Sequence, residues 1–148
     1  MRAGLITAIT ASMAWSAVLA APNEPVYLGI DAKGARHESK ESRGSAPWIQ
    51  DVTHAHMPGY PPYPLRMGYQ GVGIFRLQID PKTGSTRNVS IVRSTGHIAF
   101  DRSGLLALKL WEWKPGTWTQ VDIPMFFQRG GGVLIFPRYT TLPGWPKK

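Results

Sequence analysis

The residue types of a hydrolase triad occur within one short stretch of this 148-residue chain. Ser94, His97 and Asp101 would supply a nucleophile, a general base and an orienting carboxylate. No Gly-x-Ser-x-Gly nucleophile elbow accompanies them, and their spacing places all three on one turn that enters a helix. We therefore interpret His97 as a solvated or capping residue. We assign no catalytic residue, and the chain is predicted not to be an enzyme.

Metal and phosphate chemistry have weak support in the sequence. His54 and His56 place two imidazoles close together, but no third ligand is adjacent to them. The glycines at 71 and 73 lack the continuation of a phosphate-binding loop, and the run at 130–132 precedes an apolar segment instead of a helix. We predict no metal site and no cofactor.

Two alternating runs predict an antiparallel hairpin. In residues 74–79 and 87–93, apolar side chains alternate with polar ones, which is the pattern of a strand with one buried face. Between them, residues 80–85 contain proline and glycine at positions that favour a turn. A short turn between two such runs is typical of a hairpin.

A helix is predicted from Asp101 to Trp113. The Asp101 side chain can cap the first free amides, and Pro115 cannot continue the helix because it has no amide to donate. Three of its side chains are expected to face the sheet: Leu105, Leu108 and Trp111. Leu106 and Leu110 must then contact another part of the chain, a second copy or solvent.

The segment after this helix predicts a strand at the edge of the sheet. Its apolar residues share one face, and Pro124 removes one donor from the ladder, which is typical of an edge strand. The backbone of an edge strand can pair with an incoming chain. The predicted partner-binding residues are Thr119, Gln120, Val121, Asp122, Ile123, Pro124, Met125, Phe126 and Phe127.

These elements predict a two-layer α+β fold, in which a small antiparallel sheet of three to four strands is covered by one main helix. A second short helix is compatible with the sequence. Residues 21–60 are interpreted as a linker or irregular segment, in which 26–30 are compatible with one strand, 31–45 with a solvated loop, and 48–49 with docking onto the domain. The folded domain is assigned to 61–137, and 138–148 are interpreted as a loose tail.

The first twenty residues resemble a secretory leader. Arg2 is followed by an uncharged stretch, and Val18 and Ala20 fit cleavage after Ala20. An uncleaved membrane anchor is the competing interpretation. The net charge of +8 favours an acidic or polyanionic partner. A leader argues against nucleic acid as that partner.

Several short motifs follow one another between residues 61 and 127. They include Ser94-Thr95-Gly96, Phe100-Asp101 and Ile123-Pro124-Met125-Phe126. In order and spacing they resemble the Ser-Ser-Gly turn, the Leu-Asp helix start and the closing Val-Pro-Ile-Phe of the C-terminal domain of TonB, the periplasmic part of the energy transducer that works on outer-membrane transporters of Gram-negative bacteria. The positions that carry the resemblance are Tyr63, Pro64, Gly73, Ser94, Gly96, Asp101, Ala107, Trp111 and Pro115.

The resemblance implies a periplasmic domain that binds an extended segment of an outer-membrane TonB-dependent transporter beside its last strand. Basic residues such as Arg129 and Arg138 would steer an acidic partner towards it. A retained anchor would add inner-membrane proton-channel proteins as partners. The alternative function is a structural envelope protein without a role in energy transduction, which forms homodimers through the same strand or through Leu106 and Leu110.

Overall fold

In the computed structural model, residues 26–40 and 46–135 are described. They contain eight strands, two α-helices and a 3₁₀ turn over Ile49–Asp51. In chain order the elements are β1 (Val26–Asp31), β2 (Arg36–Lys40), β3 (Val52–His54), α1 (Pro62–Met67), β4 (Gly71–Ile79), β5 (Thr86–Arg93), α2 (Ile98–Leu108), β6 (Glu112–Trp113), β7 (Trp118–Gln128) and β8 (Gly132–Leu134).

The main sheet is antiparallel and has the strand order β2-β1-β7-β4-β5. Strand β8 pairs with the end of β7, and β3 and β6 form a separate two-stranded ladder. The predicted α+β class, with one main helix and one short helix, is confirmed. The sheet has six strands where three to four were expected, because β1 and β2 from the N-terminal segment join it.

The predicted hairpin is confirmed as β4 and β5. Its turn is held by Asp80, whose carboxylate accepts a hydrogen bond from the Lys82 amide at 2.9 Å and from Arg87 at 2.7 Å. The register shifts near both ends of the pair, between Ile74 and Phe75 and between Gln78 and Ile79. Each shift leaves an extra residue in β5, so only the middle of this strand has regular pairing.

The main helix starts and ends earlier than predicted. Helix α2 begins at Ile98 with His97 at the N-cap, so the expectation that Asp101 caps it is wrong. The helix ends at Leu108 because Glu112 and Trp113 are used as β6, which pairs with β3. Pro115 therefore follows a strand and does not end the helix. Sequence periodicity could not reveal this, since the partner strand lies about 60 residues earlier in the chain.

Helix α2 lies close against the sheet. A side chain on Gly104 would bring its Cβ within 2.7 Å of the Phe75 ring, so the helix can take this position only with glycine there. One turn earlier, Phe100 stacks on Phe127 of β7 with ring centroids 4.4 Å apart. Leu106 and Leu110 are exposed at 61% and 56%, as expected for residues that turn away from the sheet.

The described part of the predicted linker is built into the core. Strand β1 pairs with β7, and the Trp48 side chain is fully buried against Trp111 and Trp113. The expected strand at 26–30 and the docking of Trp48 are thus confirmed, whereas the solvated loop at 31–45 is wrong over 36–40, because Arg36–Lys40 forms β2. The charged residues of β2 can form a strand here because they pair with β1, which supplies the apolar residues of this hairpin. The predicted leader 1–20 and tail 138–148 lie outside the described residues.

The proline-rich entry to the domain is only partly extended. Pro61 has extended backbone angles, but the next residues form helix α1, in which prolines occupy the first turn. Proline is tolerated there because the amide it lacks would have no partner inside the helix. Tyr60 packs on Phe100 and Phe127, so this segment is part of the domain surface. Neither helix in the described part of the chain has the length and apolarity needed to cross a membrane.

Candidate functional site

Two of the three residues with triad chemistry, Ser94 and Asp101, form a hydrogen-bonded cluster with Thr95, here called the turn lock. The Asp101 carboxylate accepts hydrogen bonds from the Ser94 hydroxyl at 2.6 Å, the Thr95 amide at 2.9 Å and the Thr95 hydroxyl at 2.7 Å. The His97 ring instead stacks on Tyr69, with centroids 4.6 Å apart. Since the imidazole does not lie between the hydroxyl and the carboxylate, the arrangement cannot relay a proton from one to the other. Its effect is to tie the end of β5 to the first turn of α2.

The two histidines of the sequence motif are neighbours in space. The rings of His54 and His56 meet edge to face, with centroids 5.0 Å apart. Within residues 26–40 and 46–135, no group of three histidines or carboxylates is placed to hold a metal ion. The pair therefore provides no metal site among the residues described.

The predicted partner-binding strand, β7, lies inside the sheet and not at its edge. One side pairs with β4 from Gly71–Phe127 to Gln78–Gln120. On the other side, β1 pairs with residues 118–122 and β8 with residues 126–128. The prediction of a free edge along Thr119–Phe127 is therefore wrong, because β1 covers one part of this side and β8 covers the other.

The position of Pro124 shows how nearly complete the backbone pairing is on the side of β7 that faces β1 and β8. In an antiparallel ladder, pairs that exchange two hydrogen bonds alternate with pairs that exchange none. Proline has no amide hydrogen, so the pair Ile74–Pro124 is of the second kind, and Pro124 directs its backbone away from β4. By the same alternation, Gln120 and Asp122 direct their backbone groups towards β1, and Phe126 directs its groups towards β8. Along this side, only the Pro124 carbonyl lacks a strand opposite it among the described residues.

Pro124 was thus interpreted correctly for its own position and wrongly for the whole strand. It marks the interval between β1 and β8, where the missing donor costs no ladder bond. The sequence signal for the strand that covers β7 was the run at 26–30, which is compatible with one strand. The second strand of its hairpin, β2, could not be predicted, because the charged residues 36–40 show no alternation of apolar and polar side chains that would distinguish a strand from a loop.

Asp122 is also engaged within the domain. Its carboxylate receives two hydrogen bonds of 2.8 Å from the Arg76 guanidinium across the β4–β7 pair. These hydrogen bonds raise the pKa of Arg76 above its ordinary value. The side chain of Asp122 is 8% exposed, so it serves this ion pair and not a partner.

The covering hairpin is held at its turn by Asp31. One carboxylate oxygen accepts hydrogen bonds from the amides of Lys33 at 2.8 Å and Ala35 at 2.9 Å. The other lies 2.9 Å from the His37 ring. The hydrogen bond with His37, followed by that from Ala35, lowers the pKa of Asp31 below its ordinary value of 3.8.

This carboxylate makes the hairpin sensitive to acid. Because its folded pKa is below the unfolded value, its stabilising contribution is complete above pH 3.8 and is lost as the pH falls through the folded pKa. We expect the protection of the Leu28 and Ile30 amides in hydrogen exchange to fall in this range. Asp31→Asn should lower that protection at neutral pH. Asp80→Asn, which alters the turn of the other hairpin, is the matched control, and equal effects of both variants on β1 would contradict the assignment.

Three strands of the main sheet have a neighbour on one side only within the described chain: β2, β5 and the three-residue β8. Strand β2 has five residues, and its exposed side chains include Arg36, His37 and Glu38. Short, charged edge strands resist pairing with other chains. Strand β5 has eight residues, among which Ile91 and Val92 are 40% and 48% exposed. The more receptive edge is therefore β5.

The alternation in the sheet also identifies the backbone groups that β5 presents outward. Arg76 and Gln78 direct their backbones away from β7, so they bond with Ser90 and Asn88 of β5. Val89 and Ile91 then direct their N–H and C=O groups away from the sheet. This edge was missed from the sequence because a hairpin strand does not reveal whether a third strand will cover it.

The family-like positions are distributed between the core and the surface. Pro64, Gly73, Asp101, Ala107 and Trp111 are buried, whereas Tyr63, Ser94, Gly96 and Pro115 are exposed. Trp111 donates a hydrogen bond from its ring nitrogen to the His56 carbonyl at 2.9 Å. Arg129 donates to the Gly68 carbonyl at 3.1 Å, and Arg138 lies outside the described residues. Most of these positions maintain the fold and do not form one surface.

Comparison with known proteins agrees with this architecture. Residues 56–128 match the model of the family described as Gram-negative bacterial TonB protein C-terminal. No match was found among curated proteins. Domains of this family lie in the periplasm, take part in TonB-dependent transport as energy transducers and interact with outer-membrane transporters; the family is not one of enzymes. The matched segment contains α1, the turn lock, α2 and the four strands β4, β5, β6 and β7, and over this segment the chain is similar to the TonB C-terminal family.

Proposed function

We propose that this protein acts in the periplasm as a TonB-like partner of an outer-membrane transporter, and that an extended segment of the transporter adds to the sheet beside β5. The observation that supports this proposal is the edge formed by Val89 and Ile91, whose backbone donors and acceptors face outward. In strand addition, such groups provide affinity, and the flanking side chains provide selectivity.

The side chains along β5 suit a segment that is both apolar and acidic. Ile91 and Val92 offer exposed apolar surface to it. Arg93, at the end of the strand, is exposed and has no ion pair with a described residue, whereas Arg87 is already paired with Asp80 at 2.7 Å. An acidic residue beyond the paired segment would therefore meet Arg93. The extra residues in β5 limit regular pairing to about Asn88–Ile91.

Removing one outward donor tests this mode of binding. Ile91→Pro deletes an N–H that points away from the sheet and leaves the β4–β5 ladder intact, because proline is tolerated at such positions. We expect it to weaken binding of peptides tiled across the periplasmic N-terminal segments of the transporters by about tenfold or more, or about 1.4 kcal/mol. Isothermal titration calorimetry would measure the affinities.

The matched control lies on the opposite edge of the same sheet. Glu38 of β2 opposes Leu28, which directs its backbone towards β7, so the Glu38 N–H also points outward. Glu38→Pro should leave peptide affinity unchanged. Equal losses in both variants, or no loss in either, would contradict pairing at β5. If Ile91→Pro abolished concentration-dependent dimers of the protein and no transporter peptide bound, the self-associating structural role would be favoured.

A further inference from the structure

An apolar groove runs along the side of α2 that faces away from the sheet. Its volume is about 530 Å³, within the range of about 300–1,000 Å³ that is usual for ligand sites. Helix residues Ile98, Arg102 and Leu106 line one wall, and the segment Gly59–Pro62 lines the other. The groove lies on another element than β5 and contains no residue of the predicted partner-binding strand.

Both walls are fixed before any ligand arrives. The Ser103 hydroxyl donates a hydrogen bond to the Gly59 carbonyl at 2.5 Å, which joins the segment to the helix. The Tyr60 hydroxyl donates to the Tyr69 carbonyl at 2.6 Å, and its ring packs on Phe100. Proline at 61 and 62 restricts the backbone further. Binding in the groove would therefore order little of the protein, which keeps the entropic cost low.

The helix side of the groove carries an exposed apolar pair with one cation between its members. Ile98 and Leu106 are 83% and 61% exposed, the largest values among the exposed large apolar residues described. Arg102 lies one turn from each of them, and it makes no hydrogen bond or ion pair with a described residue. None of the residues that line the groove is acidic. Its chemistry is thus two apolar contacts that flank an available guanidinium.

We propose that this groove binds a peptide segment of a partner protein in which apolar side chains flank a carboxylate. The carboxylate pairs with Arg102, and the apolar side chains cover Ile98 and Leu106. A second copy of this chain suits the groove less well, because it would bring a net charge of +8 and a second Arg102 to the same place. A flat lipid surface suits it less well because the site is concave and one wall is a proline-rich segment that stands beside the helix.

Nuclear magnetic resonance on the full chain tests the proposal with two short synthetic peptides, one alternating leucine with glutamate and the other alternating leucine with lysine. We expect the glutamate peptide to shift the amide signals of Gly59, Tyr60 and residues 98–106, and the lysine peptide to shift them much less. Arg102→Glu should reverse this preference. We expect the affinity for each peptide to change by about five- to tenfold in this variant, which is typical of one exposed charge pair reinforced by apolar contact.

Variants of two exposed leucines distinguish binding in the groove from non-specific binding to exposed apolar side chains. Leu106→Asn should weaken binding of the glutamate peptide. Leu110→Asn, on a leucine that is 56% exposed but does not line the groove, should not. Ile91→Pro should also leave these shifts unchanged, so the groove and the β5 edge can fail independently of each other.

Three results would overturn the proposal. The first is equal shifts with both peptides, or shifts confined to β5. The second is concentration-dependent broadening of the groove signals without peptide that is removed by Leu106→Asn, which would assign the groove to a second copy. The third is binding to phosphatidylglycerol vesicles that Leu106→Asn removes, together with no response to either peptide.

Discussion

Trp111→Ala is expected to lower the free energy of unfolding by about 3–5 kcal/mol, the usual cost of removing a large aromatic side chain from a core. Trp111 is fully buried, and its ring lies 6.5 Å from that of Trp48 and 5.9 Å from that of Trp113. The change would also remove the hydrogen bond to the His56 carbonyl, which joins the N-terminal segment to the end of α2. The loss should therefore affect two parts of the chain at once.

Chemical denaturation followed by tryptophan fluorescence and circular dichroism would measure this effect. Leu110→Ala, one residue earlier and 56% exposed, is the matched control and should change stability by no more than about 0.5 kcal/mol. Hydrogen exchange should show that Trp111→Ala loosens β3 as well as β6. A loss below about 1 kcal/mol, or one confined to α2, would contradict the role assigned to the aromatic cluster.

Gly84→Ala is expected to destabilise the protein by about 3 kcal/mol or more, for two separate reasons. Gly84 has a φ of 76°, which L-residues other than glycine adopt at a cost of about 1–2 kcal/mol. A Cβ at this position would also lie 1.9 Å from the Trp113 carbonyl oxygen. Since Gly84 accepts a hydrogen bond from the Trp113 amide at 2.8 Å, the clash cannot be relieved without losing that bond.

Gly116→Ala separates the two contributions. Gly116 has a similar φ of 80°, but nothing lies within 4 Å of its Cβ position. This variant should lose only the conformational part, about 1–2 kcal/mol. The difference between the two unfolding free energies then measures the close approach of the β4–β5 turn to β6. Equal losses would show that this approach has no energetic cost.

The parts of the fold that the sequence predicted are those with local signals. The β4–β5 hairpin follows from alternation on both sides of a short turn, and the burial of Val121, Ile123 and Met125 follows from the same pattern in β7. Helix α2 was recognised, but its ends were wrong. Its last predicted residues are held by β3, a strand far away in the chain, and local periodicity contains no information about such a partner.

The candidate site depended on the least local of these features. Whether a strand is an edge is decided by every other strand in the sheet, and β7 is covered here by β1, from a segment that was interpreted as a linker, and by β8. Pro124 correctly indicated a position without a ladder bond, but the edge was then predicted for all nine residues of Thr119–Phe127. Arg102 and Leu106 were visible in the sequence, and Leu106 was expected to point away from the sheet. Their groove depends on the position of Gly59–Pro62, which only the folded chain provides.

The β1–β2 hairpin has a consequence for anyone who excises the domain along its family boundary. A fragment that starts at residue 56 would retain β7 but lose the strand that satisfies the outward amides of Gln120 and Asp122. It would also lack the Trp48 and Tyr27 side chains, which are buried in the intact core. Such a fragment is expected to form intertwined or filamentous oligomers through the edge of β7 that β1 no longer covers. Oligomers seen with it would then be products of truncation and would not describe the assembly of the parent chain.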